Sequence, residues 1–543
     1  MDKSIDTIDT IKKIVIYKGK IKLVSEFSSG ALLGAGVTDN PVIRDNDGNA
    51  ILRGESLAGM IRQELIRLFG NKCEDYTQPD TKEKPCECAV CSLMGHSRIP
   101  SKIKENETIK YHSSRLKVSG GIFKDESVRI RHGVAIDRML NVASAHKKYD
   151  YEVLMPDAIA PFKLEIENPS SEEESKIKRL LTEIKYGFLS IGGRKGSGLG
   201  AFTLEECKMY SFDMSKKEDV ISYLQKGFSE KPGCDKLDSD TDGSMNEFNN
   251  ALSVKSEKPE ENIYRGCRLM IPFEISFPEL FLVNDPLEAS LTGSDHVSMV
   301  DKNGKPYLPP STIRGVLRSR AEQILRTLNP ASACDTTNDR SESSLCSCSA
   351  KLVNKKNKNG KDYVPTLNNL EDGTFLCMGC RLFGSTFWGS RLCFQTGRCC
   401  DDIKEVETIQ HFVAIDRFTG GGKEGAKYDA LPLYNIKFSD CRLIIEDFHL
   451  WQIGLLALVF KDLLQSDIRM GFGTRKGYGQ AVGAIDSERE ILLSTPDKIY
   501  VCKIKEIYNS NGVNNVIKEI LQKAVNKFRY EVQDYKGTNY ETV

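Results

Sequence analysis

The feature that most constrains this chain is that its sequence is written twice. The run Asp39-Asn-Pro-Val-Ile-Arg-Asp45-Asn-Asp-Gly48, continuing through Leu57-Ala-Gly59 to Met60-Ile-Arg62, returns at an offset of 256 as Asp295, Asp301-Lys-Asn-Gly304, Ile313-Arg-Gly315 and Val316-Leu-Arg318. A second block, His132-Gly-Val-Ala-Ile-Asp137-Arg138 with Tyr149-Asp150, returns as His411-Phe-Val-Ala-Ile-Asp416-Arg417 with Tyr428-Asp429. A third, Ile191-Gly-Gly193-Arg194-Lys195-Gly-Ser-Gly198-Leu-Gly200, is matched by Gly471-Phe-Gly-Thr-Arg475-Lys476-Gly-Tyr-Gly479. Three blocks in one order imply two units of one fold, each with its own core. A chain of 543 residues is also too long for a single core.

Between the copies, residues 213–262 hold 12 Asp/Glu against 7 Lys/Arg and few apolar residues after Phe228. Such a stretch gains too little from burial to offset its ordering entropy, so it reads as an acidic flexible linker. The expected organisation is a first domain over 1–212, the linker over 213–262 and a second domain over 263–543. The chain balances 76 basic against 76 acidic residues, so the remainder carries a small positive excess. That excess permits local basic patches for a nucleic acid without demanding one. No apolar run approaches the roughly 20 residues of a membrane span, and the first residues lack a signal-peptide core. The expectation is a cytoplasmic protein, in which clustered cysteines hold metal more readily than they form disulfides.

Residues 21–27 and 269–277 are β-formers with partial period-two alternation and predict an opening strand in each copy. Asp45-x-x-Gly48 and Asp301-x-x-Gly304 carry turn chemistry. Helices are expected to start at Ser56 and Ser311, with Leu57, Met60, Ile61, Leu65 and Leu68 on the buried face of the first. Strand, turn, helix and later strands predict an α+β, ferredoxin-like unit in each copy.

Cys73, Cys86, Cys88 and Cys91 fall within 19 residues, and the second copy offers Cys334, Cys346, Cys348, Cys377 and Cys380. Each set contains a Cys-x-x-Cys arm (88/91 and 377/380) that supplies two thiolates at the bite tetrahedral zinc requires. Two closed, structural zinc sites are expected. The second has five candidates for four places, with Cys346 or Cys348 in excess.

The glycine-rich loops lack Walker spacing and do not open a βαβ unit. Their N–H groups with Arg194 and Lys195, or Arg475 and Lys476, suit a sugar-phosphate backbone, and a tight structural turn is the other reading. Asp39 and Asp295 lie in Gly/Thr/Ser-rich loops, where a carboxylate can hold a divalent cation, orient a 2′-hydroxyl, or simply be solvated. Asp137 and Asp416 are expected to orient their neighbouring arginines. Lys102, Lys104, Lys110, Arg115, Lys117, Arg129 and Arg131 form a candidate basic strip, and Arg53, Arg62, Arg314 and Arg318 flank the helix starts.

As a set, these blocks resemble the RAMP superfamily, and within it the backbone subunits of type III CRISPR effector complexes. Two fused copies with cysteine clusters are similar to double-backbone subunits of type III-D-like systems or to part of a type III-E single-chain effector. The resemblance implies two tandem modified ferredoxin-like (RNA-recognition-motif) domains, each with a zinc-bearing insertion and a thumb hairpin, about 139–148 and 418–427. It implies guide CRISPR RNA, complementary target RNA and other effector subunits as partners. Arg53, Ser56, Arg62, Arg131, Arg138, Gly193, Arg194 and Lys195 would serve RNA binding in copy one, and Arg314, Arg318, Arg417, Arg475 and Lys476 in copy two. It further implies target-RNA cleavage at six-nucleotide intervals, dependent on Mg2+ or Mn2+, with the family's catalytic Asp falling on Asp39 and Asp295. Copy two departs from the pattern, with His296-Val297 where copy one has Asn40-Pro41, which puts its cleavage in doubt. A non-catalytic RNA-binding subunit is the alternative. A guide-processing nuclease is another; it would need a general acid or base among His96, His112, His132, His146, His296, His411 and His449.

Overall fold

The computed structural model describes residues 10–30, 38, 40–70, 73, 86–96, 113–124, 126–137, 142–225, 241–242, 247–248, 251, 263–335, 348, 376–385, 388–399, 409–509, 512–513 and 515–537. For 134–137, 142–148, 241–242, 263, 508–509, 512–513 and 515–516 it describes the backbone alone. Copy one runs β1 (Lys13–Leu23), α1 (Gly54–Phe69), α2 (Ala89–Met94), β2 (Leu116–Ser119), β3 (Val128–Asp137), β4 (Val142–Leu154), β5 (Ile159–Glu167), α3 (Ser171–Tyr186), β6 (Phe202–Asp213) and α4 (Lys217–Leu224). Its sheet has the order β2-β5-β1-β6, with every neighbouring pair antiparallel; β3 and β4 form a separate hairpin.

Copy two runs β7 (Ile263–Phe281), α5 (Pro286–Thr292), α6 (Pro310–Leu328), α7 (Met378–Phe383), β8 (Leu392–Gln395), β9 (Gln410–Ile415), β10 (Gly422–Leu431), β11 (Leu433–His449), α8 (Leu450–Leu464), β12 (Gln480–Ala484), β13 (Glu490–Ser494), β14 (Ile499–Lys503) and α9 (Asn515–Gln533). The order β8-β11-β7-β12 repeats that of copy one, β9 and β10 pair as a second hairpin, and β13 and β14 extend the sheet beyond β7. Both copies thus share a mixed α/β connectivity of strand, helix, strand, strand, helix, strand.

Local chemistry explains the helix limits. Leu57, Met60, Ile61, Leu65 and Leu68 of α1 are all buried, and α1 stops where Gly70 turns left-handed (φ 63°). The expected serine caps are corrected. Helix α1 begins at Gly54 and α6 at Pro310, each before its serine and without a side-chain cap. Proline, with φ already fixed and no N–H to satisfy, opens α6 unaided. The matched turns hold as expected: Asp45 accepts from the N–H groups of Asp47 and Asn49, and Asp301 from those of Asn303 and Lys305.

The outer face of copy two's sheet lies on α1 and α3 of copy one, and Met270, Ile444, Leu492 and Ile499 join copy one's core. Helix α9 covers α8, burying Ala524, Phe528 and Val532. The contact is close enough that a β-carbon on Gly454 would fall 2.2 Å from the Ala524 carbonyl oxygen. The layers therefore run sheet, helices, sheet, helices, α9. The stretch read as a linker is in part structured. Helix α4 sets Tyr223 edge-on against Phe212, and Phe248, 1% exposed, sits in the core of copy two. Residues 226–240 lie outside the described residues. No described helix is long and apolar enough to cross a membrane.

Candidate nucleic-acid cleft and metal centres

A cleft of about 1130 Å3 opens between the copies. Copy one lines it with Arg131, His132, Tyr149, Tyr151 and Arg194, and copy two with Asp285, Arg314, Arg475 and Lys476 among others. The two glycine loops repeat one pattern of left-handed backbone positions. Gly192, Arg194, Gly198 and Gly200 have φ of 86°, 56°, 84° and 77°, and Gly471, Gly473, Gly477 and Gly479 repeat the pattern at 94°, 71°, 94° and 71°. Ile191 donates to the Gly200 carbonyl as Met470 does to that of Gly479. In this register Arg194 stands where Gly473 stands, so the Arg-Lys pair of copy two lies two residues further along.

Despite that shift, each loop puts a cation on the aromatic residues of its hairpin. The Arg194 guanidinium lies 4.7 Å from the ring centre of Tyr149 and 4.2 Å from that of Tyr151. Lys476 lies 4.3 Å from Tyr428 and 4.9 Å from Phe412. Cation–π contact holds each charge at the cleft wall. The loop N–H groups do not form a phosphate cradle. Those of Gly193 and Gly200 donate to Ser28 and Glu26, and that of Gly479 to Leu280.

The other expected RNA contacts divide. Arg53, Ser56 and Arg417 are exposed but do not line the cleft. Arg138 and Asp39 lie outside the described residues. Burial lowers the pKa of Lys195. Arg131 reaches the cleft but is buried and paired with Glu26 at 3.4 Å. In the candidate strip, Arg115 is held by Glu173 and Lys117 by Glu167, while Arg129 donates across the joint to the Val300 and Asp301 carbonyls. Lys102, Lys104 and Lys110 lie outside the described residues. Asp416 accepts from the N–H groups of Phe418 and Thr419, so it holds the hairpin turn rather than Arg417.

Asp295 is exposed and forms a reciprocal pair with Asp429. Its carboxylate accepts from the Asp429 N–H at 3.0 Å, and the Asp429 carboxylate accepts from the Asp295 N–H at 2.9 Å. That N–H holds the Asp429 carboxyl below its usual range. The neighbouring His296 ring lies 4.1 Å from Phe472, which lines the cleft, and burial lowers its pKa. Sequence reasoning missed Asp429 as a partner, although the repeated Tyr-Asp pair was its signal.

The cysteines converge as two compact groups, Cys73, Cys86, Cys88 and Cys91, and Cys334, Cys348, Cys377 and Cys380, with all ligand atoms of a group within 4.8 Å of one another. Either group could hold a metal ion. Four crowded thiols suit zinc: burial raises the Cys91 thiol, and a cation offsets the cost of ionising such a group. Cys348 takes the fourth place in the second group, and Cys346 lies outside the described residues. His96 turns its ring nitrogen to the Cys86 carbonyl.

Arg62 and Arg318, expected at RNA, instead brace these knuckles. Arg62 donates to the Met94 and Gly95 carbonyls. Arg318, 7% exposed, meets the Gly384 carbonyl, the Cys380 sulfur and the Glu322 carboxylate. Arg314 donates to the Phe383 carbonyl from the cleft wall.

The family model of the RAMP superfamily matches residues 20–203 and, a second time, residues 290–482. The chain belongs to the RAMP superfamily. Its two matched regions coincide with the two repeated units, so it is a RAMP protein carrying two copies. It is similar to the CRISPR system Cms endoribonuclease Csm3 of Methanocaldococcus jannaschii, at 29% identity over 161 residues. That alignment takes in 27% of this RAMP chain and 64% of the relative, so it spans less than two thirds of the relative's length.

Proposed function

We propose that this RAMP protein is a backbone subunit of a type III CRISPR ribonucleoprotein complex, which binds guide RNA and cleaves complementary target RNA at six-nucleotide intervals. The observation that carries the reading is the inter-copy cleft, walled on both sides by a glycine loop whose cation is stacked on hairpin aromatics. Charged and aromatic surfaces lining one cleft suit a single strand, with phosphates on the cations and bases on the rings. The likeness to a Csm3 endoribonuclease supports the activity, and the strand order supports a modified ferredoxin-like fold in each copy with a zinc-bearing insertion. The β3/β4 and β9/β10 hairpins are then the thumbs. In this reading Asp39 and Asp295 act in cleavage with Mg2+ or Mn2+, and the partners are guide RNA, target RNA and other effector subunits.

The test is reconstitution with guide and partner subunits, adding labelled target RNA and magnesium, with Asp39→Ala and Asp295→Ala beside the wild type. Two products six nucleotides apart, one lost with each variant and both lost in chelator, are expected. A target bound tightly but left whole would make the chain a scaffold. One observation favours that outcome for copy two: Asp295 is already engaged with Asp429.

A further inference from the structure

The joint between the copies contains a buried cluster of charges. Glu64 of α1 and Glu183 of α3 are 5% and 0% exposed. Arg268, from copy two's first strand, enters between them. Its guanidinium makes two 2.6 Å contacts to Glu64 and one of 3.0 Å to Glu183, and its Nε meets Glu446 at 3.2 Å. Arg67 bridges the same two acids and donates to the Gly266 carbonyl of copy two. Arg179 of α3 also meets Glu183 at 3.2 Å, so Glu183 has two cations from its own copy. Without Arg268, by contrast, the buried Glu64 would keep Arg67 alone, and removing one partner of a buried acid is costly.

At the matching positions on copy two the arrangement is self-contained. The α1/α6 register of Arg62 and Arg318 sets Arg320 in the place of Glu64. The shared N-cap registers of α3 and α8 set Asp462 in the place of Glu183. Arg320 and Asp462 pair within copy two at 2.7 Å. A second difference agrees. Arg129 and Arg131 of copy one reach across the joint or line it, whereas the position of Arg131 in copy two is Gln410, which accepts from the Tyr478 hydroxyl. On the guest side, the position of Arg268 opposite Glu446 is occupied in copy one by Ile14 opposite Glu167.

We propose that the copies are joined by a one-way arginine socket, Glu64 and Glu183 receiving Arg268, and that copy two's own socket is filled from within by Arg320 and Asp462, so that no further copy of this chain stacks onto it. Helix α9, lying over α8, closes the same layer. The internal joint is therefore used once per chain, and any neighbour beyond copy two must engage it by other contacts. This inference stands apart from the RNA reading and holds whether or not the protein cuts RNA.

The experiment places a protease site within residues 226–240 of the full chain, cuts it, and measures whether the halves stay together by size-exclusion chromatography with light scattering. Wild-type halves are expected to remain joined. Glu64→Arg gives copy one the residue copy two carries there, to pair with Glu183, and should weaken the joint roughly a hundredfold or more. Arg268→Glu should do the same from the other side, so one variant decides if the other fails to fold. Halves that stay joined with wild-type affinity in the folded variants would overturn the socket. Sedimentation of the uncut wild-type chain is expected to give one species at every concentration. Stacked chains cross-linked from α8 to β1 would overturn the closure.

Discussion

Gly198 and Gly477 occupy the same turn of the same loop with nearly the same left-handed backbone, φ 84° and 94°, and their surroundings could hardly differ more. A β-carbon on Gly198 would fall 2.3 Å from the Phe394 carbonyl oxygen and 2.3 Å from a Pro310 side-chain carbon, both in copy two. One on Gly477 would meet nothing within 4 Å. Backbone geometry explains why both are glycine; only the layer order explains why one is also walled in. The turn of copy one's loop is packed against copy two, whereas nothing lies within 4 Å of the equivalent point in copy two, although the sequence writes the two loops alike.

The largest expected gap between the copies is at the knuckles. Arg318→Ala leaves Glu322, 1% exposed, buried without its closest cation, and should cost about 3–5 kcal/mol in denaturant unfolding. Arg62→Ala removes contacts to two carbonyls and the Cys91 sulfur but strands no buried carboxylate, and should cost about 1–2 kcal/mol. Equal losses would erase the distinction. Next comes the pair that opened this comparison. Gly198→Ala should cost about 3 kcal/mol because the clash is with backbone, against about 1 kcal/mol for Gly477→Ala, where only the positive φ is strained; thermal midpoints of both variants would show it.

Acid should separate the copies as well. Burial, helped by Arg381 and Arg391, pushes His449 of copy two down to about 3. The unfolded chain takes up that proton near pH 6.5, so stability falls as pH drops from about 6.5 towards 3. In copy one, burial alone would raise Glu183, but Arg67, Arg268 and Arg179 outweigh it and hold the carboxyl at about 2. Its stabilisation is complete above about pH 4.3 and is lost only as pH falls towards 2. His449→Asn should therefore flatten the upper part of the acid slope, at most about 1.4 kcal/mol per pH unit, and leave the lower part in place. Urea midpoints against pH would check this. The smallest effect belongs to the outer sheet face of copy one: Lys117→Ala, at a side chain 56% exposed beside Glu167, should change stability by less than about 1 kcal/mol.

The repeat, both cysteine groups, the Asp45 and Asp301 turns and the buried face of α1 were readable in the sequence, because each depends on near neighbours in the chain. Other features depend on residues far away in the chain, within the same copy or across the joint. Nothing near Arg115 or Arg129 in sequence announces Glu173 or the Val300 carbonyl, so Arg115, Lys117, Arg129 and Arg131, read as part of an RNA strip, are tied to the protein. Arg62 and Arg318 matched well as a repeat but for packing rather than for RNA. The Arg-Lys pairs matched by letter, while the backbone places them two residues apart. A cation can reach the same aromatic rings from either position, so the letters record the charge and not its place.

The layer order also changes what the tether between the copies has to do. Since the outer face of one sheet is seated on the helices of the other copy, the separation of the two glycine loops is set by packing and not by chain length. A covalent tether between two such halves raises the local concentration of one around the other, an effect that changes only slowly with length. Lengthening residues 226–240 should leave the spacing of the two glycine loops unchanged, and joining the copies in one chain fixes their stoichiometry at one to one.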